Sequence, residues 1–87
     1  MAGIEFNPTD EILLHKRVEM LIRMEAQGMI NPREFCDLFE MQKTPNVIEE
    51  ERTAYENPNS SYEDSSYGRL LQQFLRMGGD FSVDPFK

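Results

Sequence analysis

Prolines and glycines divide this 87-residue chain into short segments, each long enough for one short helix. Asn-Pro or Thr-Pro pairs stand at 7–8, 31–32 and 44–45, where they suit the first positions of a helix. Glycine stands at Gly28 and at Gly78-Gly79, and such a residue commonly ends a helix. The spacing predicts an all-α fold, a small bundle of three to four short helices with extended N- and C-terminal tails.

The helix starts carry specific capping signals. Helices are predicted at about 8–27, 32–42 and 46–55, and a last one follows from 65. The second start is the clearest, because Asn31, Pro32 and Glu34 form a capping-box pattern with proline at the first helical position. Ile30 precedes this cap and is placed to pack on Phe35 one turn into the helix. The short turn before it predicts that the first two helices fold back on each other.

Apolar residues at helical spacing predict which face of the first helix is buried. The predicted buried residues are Leu14, Val18, Leu21 and Ile22, with Met24 or Glu25 beyond. The predicted exposed residues are Lys16, Arg17, Glu19 and Arg23. A core in a chain of this length is marginal, and oligomerisation or docking on a partner is a common remedy.

The chain length allows one domain with three parts. Residues 1–56 are predicted to form a helical scaffold, residues 57–64 a polar acidic loop, and residues 65–87 a helix followed by an extended tail. In that tail Phe81 and Val83 alternate with a polar residue, as in a short strand.

The formal net charge of −7 and the pI of about 4.6 argue against direct nucleic-acid binding, because a phosphate backbone would be repelled. No apolar run approaches the roughly 20 residues that span a bilayer, so no membrane partner is expected. The lone Cys36 and the lack of a signal-peptide pattern favour a cytoplasmic, intracellular location, which includes the inside of a virion. An acidic surface suits a basic protein partner.

Catalytic and metal-binding patterns are missing from the sequence. His15 and Cys36 could form a nucleophilic pair, but they lie on different predicted helices. We expect Cys36 to be a small buried side chain and His15 to be exposed. No cysteine or histidine cluster has the spacing of metal ligands. The chain is therefore expected to be no enzyme and to need no cofactor.

Apolar residues near both ends are the first candidates for partner contact. Two interpretations stay open: these residues complete an undersized core, or a tail docks into a partner. The predicted tail anchors are Ile4, Phe6, Phe81, Val83 and Phe86. The predicted contact face of the last helix comprises Tyr67, Leu71 and Phe74. Together these features favour a small assembly or adaptor subunit, viral ones included, whose partners are proteins or further copies of the chain.

An alternative function rests on charge concentrated in residues 44–66. This segment contains six carboxylates and only one basic residue, Arg52. The carboxylates are Glu49, Glu50, Glu51, Glu56, Glu63 and Asp64. Such a run could imitate phosphates and occupy a basic groove on a nucleic-acid enzyme, as small phage inhibitors do.

Residues 20–42 resemble the helix–glycine–turn–helix motif of SHOCT-type segments. The matching residues are Leu21, Met24, Gly28, Ile30, Glu34, Phe35 and Leu38. The resemblance covers about a quarter of the chain and implies oligomerisation, the usual role of such segments in bacterial proteins. The chain departs from the family in its second helix, where Asp37 and Glu40 replace the usual basic residues.

Overall fold

The chain is all-α, as predicted. Its structure is a computed structural model and describes residues 8–57 and 65–86. The helices are α1 (Pro8–Ala26), α2 (Pro32–Met41), α3 (Pro45–Glu56) and α4 (Ser66–Arg76). No strand occurs in these two ranges. The predicted tail anchors Ile4 and Phe6 lie outside the described residues.

The predicted capping box of α2 is confirmed. The Glu34 backbone N–H donates to Asn31 Oδ1 at 2.8 Å, and the Asn31 N–H donates to Glu34 Oε1 at 3.1 Å. Before it, α1 ends at Ala26, and Gly28 follows two residues later with a φ of 78°. The Met29 N–H donates to the Met24 carbonyl at 2.8 Å, the pattern of a Schellman motif. These two local motifs reverse the chain, so that α2 packs back on α1.

The centre of the fold is α1, which packs against each of the other three helices. The buried apolar core comprises Met20, Leu21, Met24, Ile30, Leu70 and Phe74. Side chains of α2 cover this core only in part, and Phe35 packs beside it together with Leu38 and Phe39. No residue of α2 is fully buried.

The buried face of α1 differs from the prediction. Its buried residues are Asp10, Leu13, Arg17, Met20, Leu21 and Met24. Leu14, Val18 and Ile22 are only half-buried. The exposed position predicted for Arg17 is wrong. The reason is that three helices pack around α1, so its buried face is wider than one apolar stripe.

Polar groups of α3 and of Gln42, the residue that follows α2, contact the buried charges of α1. Arg17 Nε donates to Gln42 Oε1 at 3.0 Å, and Arg17 Nη2 donates to the Gln42 carbonyl at 2.9 Å. Arg52 on α3 makes a bidentate ion pair with Asp10, in which Nε donates to Oδ1 at 2.9 Å and Nη2 donates to Oδ2. The hydrogen bond from Arg52 holds the pKa of Asp10 below its usual value. These pairs fix α1 against both α3 and the end of α2.

A buried carboxylate joins α3 to the start of α4. Glu51 is fully buried, and its Oε1 accepts the Tyr67 backbone N–H at 2.6 Å. Ser65 Oγ accepts the Gly68 N–H at 3.2 Å. Both donors belong to the first turn of α4, whose N–H groups have no partner within the helix and whose dipole favours a negative charge. Glu51 therefore acts as a second N-terminal cap, supplied by another helix.

We expect Glu51→Ala to lower the free energy of unfolding by about 1.5–3 kcal/mol, because a buried N–H loses a charge-assisted hydrogen bond. Glu49→Ala is the matched control, since Glu49 lies on the same helix and is exposed. Its effect should stay within about 0.5 kcal/mol in the same urea titration. Equally small losses in both variants would show that the start of α4 does not depend on Glu51.

Candidate protein-binding surface

The C-terminal tail is held against α1 by side chains near the end of that helix. Gln27 Nε2 donates to the Asp80 carbonyl at 2.9 Å, and the Asp80 N–H donates back to Gln27 Oε1 at 2.9 Å. Arg23 Nη1 approaches the Val83 carbonyl at 3.4 Å. The Gln27 side-chain amide thus bonds both the N–H and the carbonyl of Asp80, as the backbone of a neighbouring β-strand would. The tail backbone is thereby fixed at two points.

Phe81 packs the tail against the core. Its ring lies 4.8 Å from the ring of buried Phe74, measured between centroids, with the planes at 59°. The Arg23 guanidinium lies 5.5 Å from the centroid of the Phe81 ring, within cation–π range. Gly78, with a φ of 84°, and Gly79 turn the chain from α4 to this position. A Cβ on Gly79 would lie 2.5 Å from the Phe74 ring, so only glycine fits there.

Two aspartates shape the rest of the tail. Asp80 Oδ1 accepts the Ser82 N–H at 2.8 Å and its hydroxyl at 2.7 Å. Asp84 Oδ1 accepts the Phe86 N–H at 2.8 Å. Both are Asx turns, in which the side chain closes a turn two residues on. The short strand that the alternation of Phe81 and Val83 predicted is therefore wrong, because residues 81–83 form a turn.

The tail leaves apolar side chains half exposed on this fixed backbone. The exposed fractions are 47 % for Phe81, 46 % for Val83 and 58 % for Phe86. We call these three residues the tail surface. They lie within six consecutive residues, so they fall within one partner's reach. Exposed apolar groups close together commonly mark a site of macromolecular contact.

The residues predicted to contact a partner differ in their exposure to solvent. The tail anchors Phe81, Val83 and Phe86 are exposed, whereas Tyr67 and Leu71 are half-buried against the core. Phe74, predicted for the contact face of α4, is fully buried. Its role there is corrected to that of a core residue, because the tail and α1 cover its ring.

The predicted acidic run is broken up by the fold. The placement of Glu51 on a mimic surface is wrong, since it is buried at the start of α4. Glu50 Oε1 accepts from Arg69 Nη2 at 2.7 Å. Glu49 and Glu56 are exposed. The two remaining carboxylates of this run, Glu63 and Asp64, lie outside the described residues.

The two residues considered for catalysis lie on different helices, His15 on α1 and Cys36 on α2. His15 is exposed, as expected, and pairs with Glu19 at 3.4 Å. Cys36 was expected to be buried but is exposed on α2. Within 8–57 and 65–86, no three His, Cys, Asp or Glu residues are grouped to hold a metal ion. No helix in the same ranges has both the length and the apolar character to cross a bilayer.

Sequence reasoning missed the residues that hold the tail. Gln27 and Arg23 carry no local signal of this role, because their partners lie 53 and 60 positions away in the chain. The turn at Asp80 and Ser82 did carry a signal, since Asp-x-Ser is a common Asx-turn sequence.

Comparison with known proteins gives no relative: no protein-family model, no curated protein and no solved structure matches this chain. The helix–glycine–turn–helix geometry over 20–42 is present, with Gly28 between α1 and α2. The resemblance to SHOCT-type segments stays a prediction.

We expect Gln27→Ala to speed hydrogen exchange of the Asp80 amide by about fivefold to tenfold, because both hydrogen bonds of the side chain to the tail are lost. Gln72→Ala is the matched control, since Gln72 is exposed on α4. It should leave the Asp80 exchange rate unchanged. An Asp80 rate that is the same in both variants would contradict the role of Gln27.

The turn at Asp80 should depend on pH. The Ser82 hydroxyl and N–H lower the pKa of the Asp80 carboxyl below its usual 3.8. Such a group stabilises the folded turn above pH 3.8, and this contribution is lost as the pH falls through the lowered pKa. We expect the Ser82 amide resonance to shift toward its random-coil position in that acidic range, and Asp80→Asn to abolish the shift. A Ser82 resonance that stays constant down to about pH 2 would contradict this.

Proposed function

We propose that the chain is a non-catalytic protein–protein interaction module, a subunit or adaptor of a larger assembly, which contacts its partner through the tail surface. One observation carries the proposal. Phe81, Val83 and Phe86 stay about half exposed although Gln27 and Arg23 hydrogen-bond the tail backbone at Asp80 and Val83.

The fixed backbone makes these side chains suitable for binding. A flexible segment pays the entropy of ordering when it binds, whereas a preorganised one has paid most of it on folding. Aromatic side chains are also frequent among the residues that dominate binding energy. Full burial of a phenylalanine or valine side chain stabilises by about 1.5–3 kcal/mol, and roughly half of each is still exposed to water here.

The partner that fits this surface is a protein with an apolar cleft and a basic rim. Asp80 and Asp84 flank the apolar side chains, and the chain carries a net charge of −7. The alternative, an acidic inhibitor that imitates phosphates, finds less support. Glu51 is buried and Glu50 is paired with Arg69, which leaves only Glu49 and Glu56 exposed among the described members of that run.

The test uses the substitutions Val83→Asp and Phe86→Asp, singly and together. The full chain is expressed in cells of its source organism, where its natural partner is present. Point substitutions are preferable to removal of the tail, because removal would also uncover Phe74. We expect the tagged wild-type chain to sediment in extract as a complex well above 10.2 kDa. The double variant should lose the partner and fall to the mass of the chain alone, as monomer or dimer, because a buried carboxylate without a partner costs several kcal/mol.

Ile12→Asp is the control, since Ile12 is an equally exposed apolar residue on α1. It should leave the complex intact. Circular dichroism of each purified variant checks that the helices are kept. A wild-type chain that sediments as a monomer in extract, or a complex that survives both tail substitutions, would overturn the proposal.

A further inference from the structure

The outer face of α4 is basic in an otherwise acidic protein. The helix contains two arginines and no carboxylate. Arg69 and Arg76 are exposed and lie seven residues apart, which places them on one face, two turns from each other. A shallow concavity runs along this face, and its lining residues are Arg69, Gln72, Gln73, Arg76 and Met77.

The outer face of α3 has the opposite charge. This helix contains four glutamates and one arginine. Glu49 and Glu56 are exposed and are also seven residues apart. Within 8–57 and 65–86, neither carboxylate has a basic partner in ion-pair distance, and nor does Arg76.

The two faces have opposite charge, and their charged residues have the same spacing. Seven residues of α-helix rise about 10.5 Å, so the backbone positions of Glu49 and Glu56 are separated by the same distance along α3 as those of Arg69 and Arg76 along α4. The chain already forms one such pair within itself, between Glu50 on α3 and Arg69 on α4 at 2.7 Å. That pair also joins the exposed sides of the two helices, so both faces border the same seam.

We infer that α3 of one copy docks on the outer face of α4 of a second copy, with Glu49 and Glu56 opposite the arginines. A two-fold axis along the seam would place each α3 over the partner copy's α4, so the contact is made twice. A second copy fits better than another acidic protein, because this chain supplies both faces with equal spacing. Met77 on this face and Met41 beside it are about half exposed and add apolar area.

This inference goes beyond the proposed function and concerns a different surface. The purified protein alone tests it, by sedimentation equilibrium at low salt over a range of concentrations. We expect the mass to rise from 10.2 kDa toward twice that value. Because the contact is electrostatic and exposed, high salt should weaken the dimer.

Charge reversal identifies the contact. Arg76→Glu should weaken the dimer by about tenfold or more, since like charges then face each other. One of the two reversals on α3, Glu49→Arg or Glu56→Arg, should weaken the wild-type dimer similarly. Combined with Arg76→Glu, the same reversal should restore it to within about threefold, since the ion pair is re-formed with its signs exchanged. The position at which the reversal restores the dimer, 49 or 56, identifies the residue of α3 that lies opposite Arg76.

Controls with the same charge change separate a local effect from net charge. Arg33→Glu and Glu25→Arg alter exposed residues on α2 and α1. They should change the dissociation constant by less than about threefold, and Glu25→Arg should not restore the Arg76→Glu variant. A wild-type chain that stays monomeric, or an Arg76→Glu defect that neither acid reversal repairs, overturns the inference. The Val83→Asp and Phe86→Asp variants should dimerise normally, so failure at one surface is distinguishable from failure at the other.

Discussion

The packing of α1 against α2, α3 and α4 sets most of the remaining structure. A helix with neighbours on three sides cannot bury apolar residues alone, because its buried face covers more than one stripe of its surface. Asp10 and Arg17 fall on this wide face, and a buried charge is tolerated only when it is paired and hydrogen-bonded. Arg52 and Gln42 provide those partners from α3 and from the end of α2. The polar contacts therefore decide where the surrounding helices lie along α1.

The two ends of α4 set the position of the C-terminal tail relative to the core. Glu51 caps the first turn of α4 from α3 and so fixes where α4 begins. At the other end, Gly78 and Gly79 close α4 with the same hydrogen-bond pattern that Gly28 gives α1. The close approach of Gly79 to Phe74 turns the tail back toward α1, where Gln27 holds it. The position of the tail surface thus follows from the way α4 starts and stops.

Two surfaces of different chemistry result from this arrangement. The tail surface is apolar, has two aspartates next to its residues and lies on a backbone hydrogen-bonded to Gln27 and Arg23, which supports the proposed contact with a cleft on another protein. The outer faces of α3 and α4 are charged with opposite signs and match in spacing, which suits a second copy of the chain. Since the two surfaces use different residues, the proposed partner protein and the proposed second copy would bind the chain at separate places.

The helical segments and their ends follow from sequence alone, because capping and termination depend on residues within a few positions of each other. The box at Asn31 and Glu34 and the glycine at Gly28 are examples. The sequence also identified Phe81, Val83 and Phe86 as candidate contacts. The burial of Arg17, Glu51 and Phe74 and the contact of Gln27 with the tail result instead from the packing of distant parts of the chain. The hydrogen-bond partners of Glu51, Arg17 and Gln27 lie 16 to 53 positions away in the chain, a separation that local patterns cannot specify.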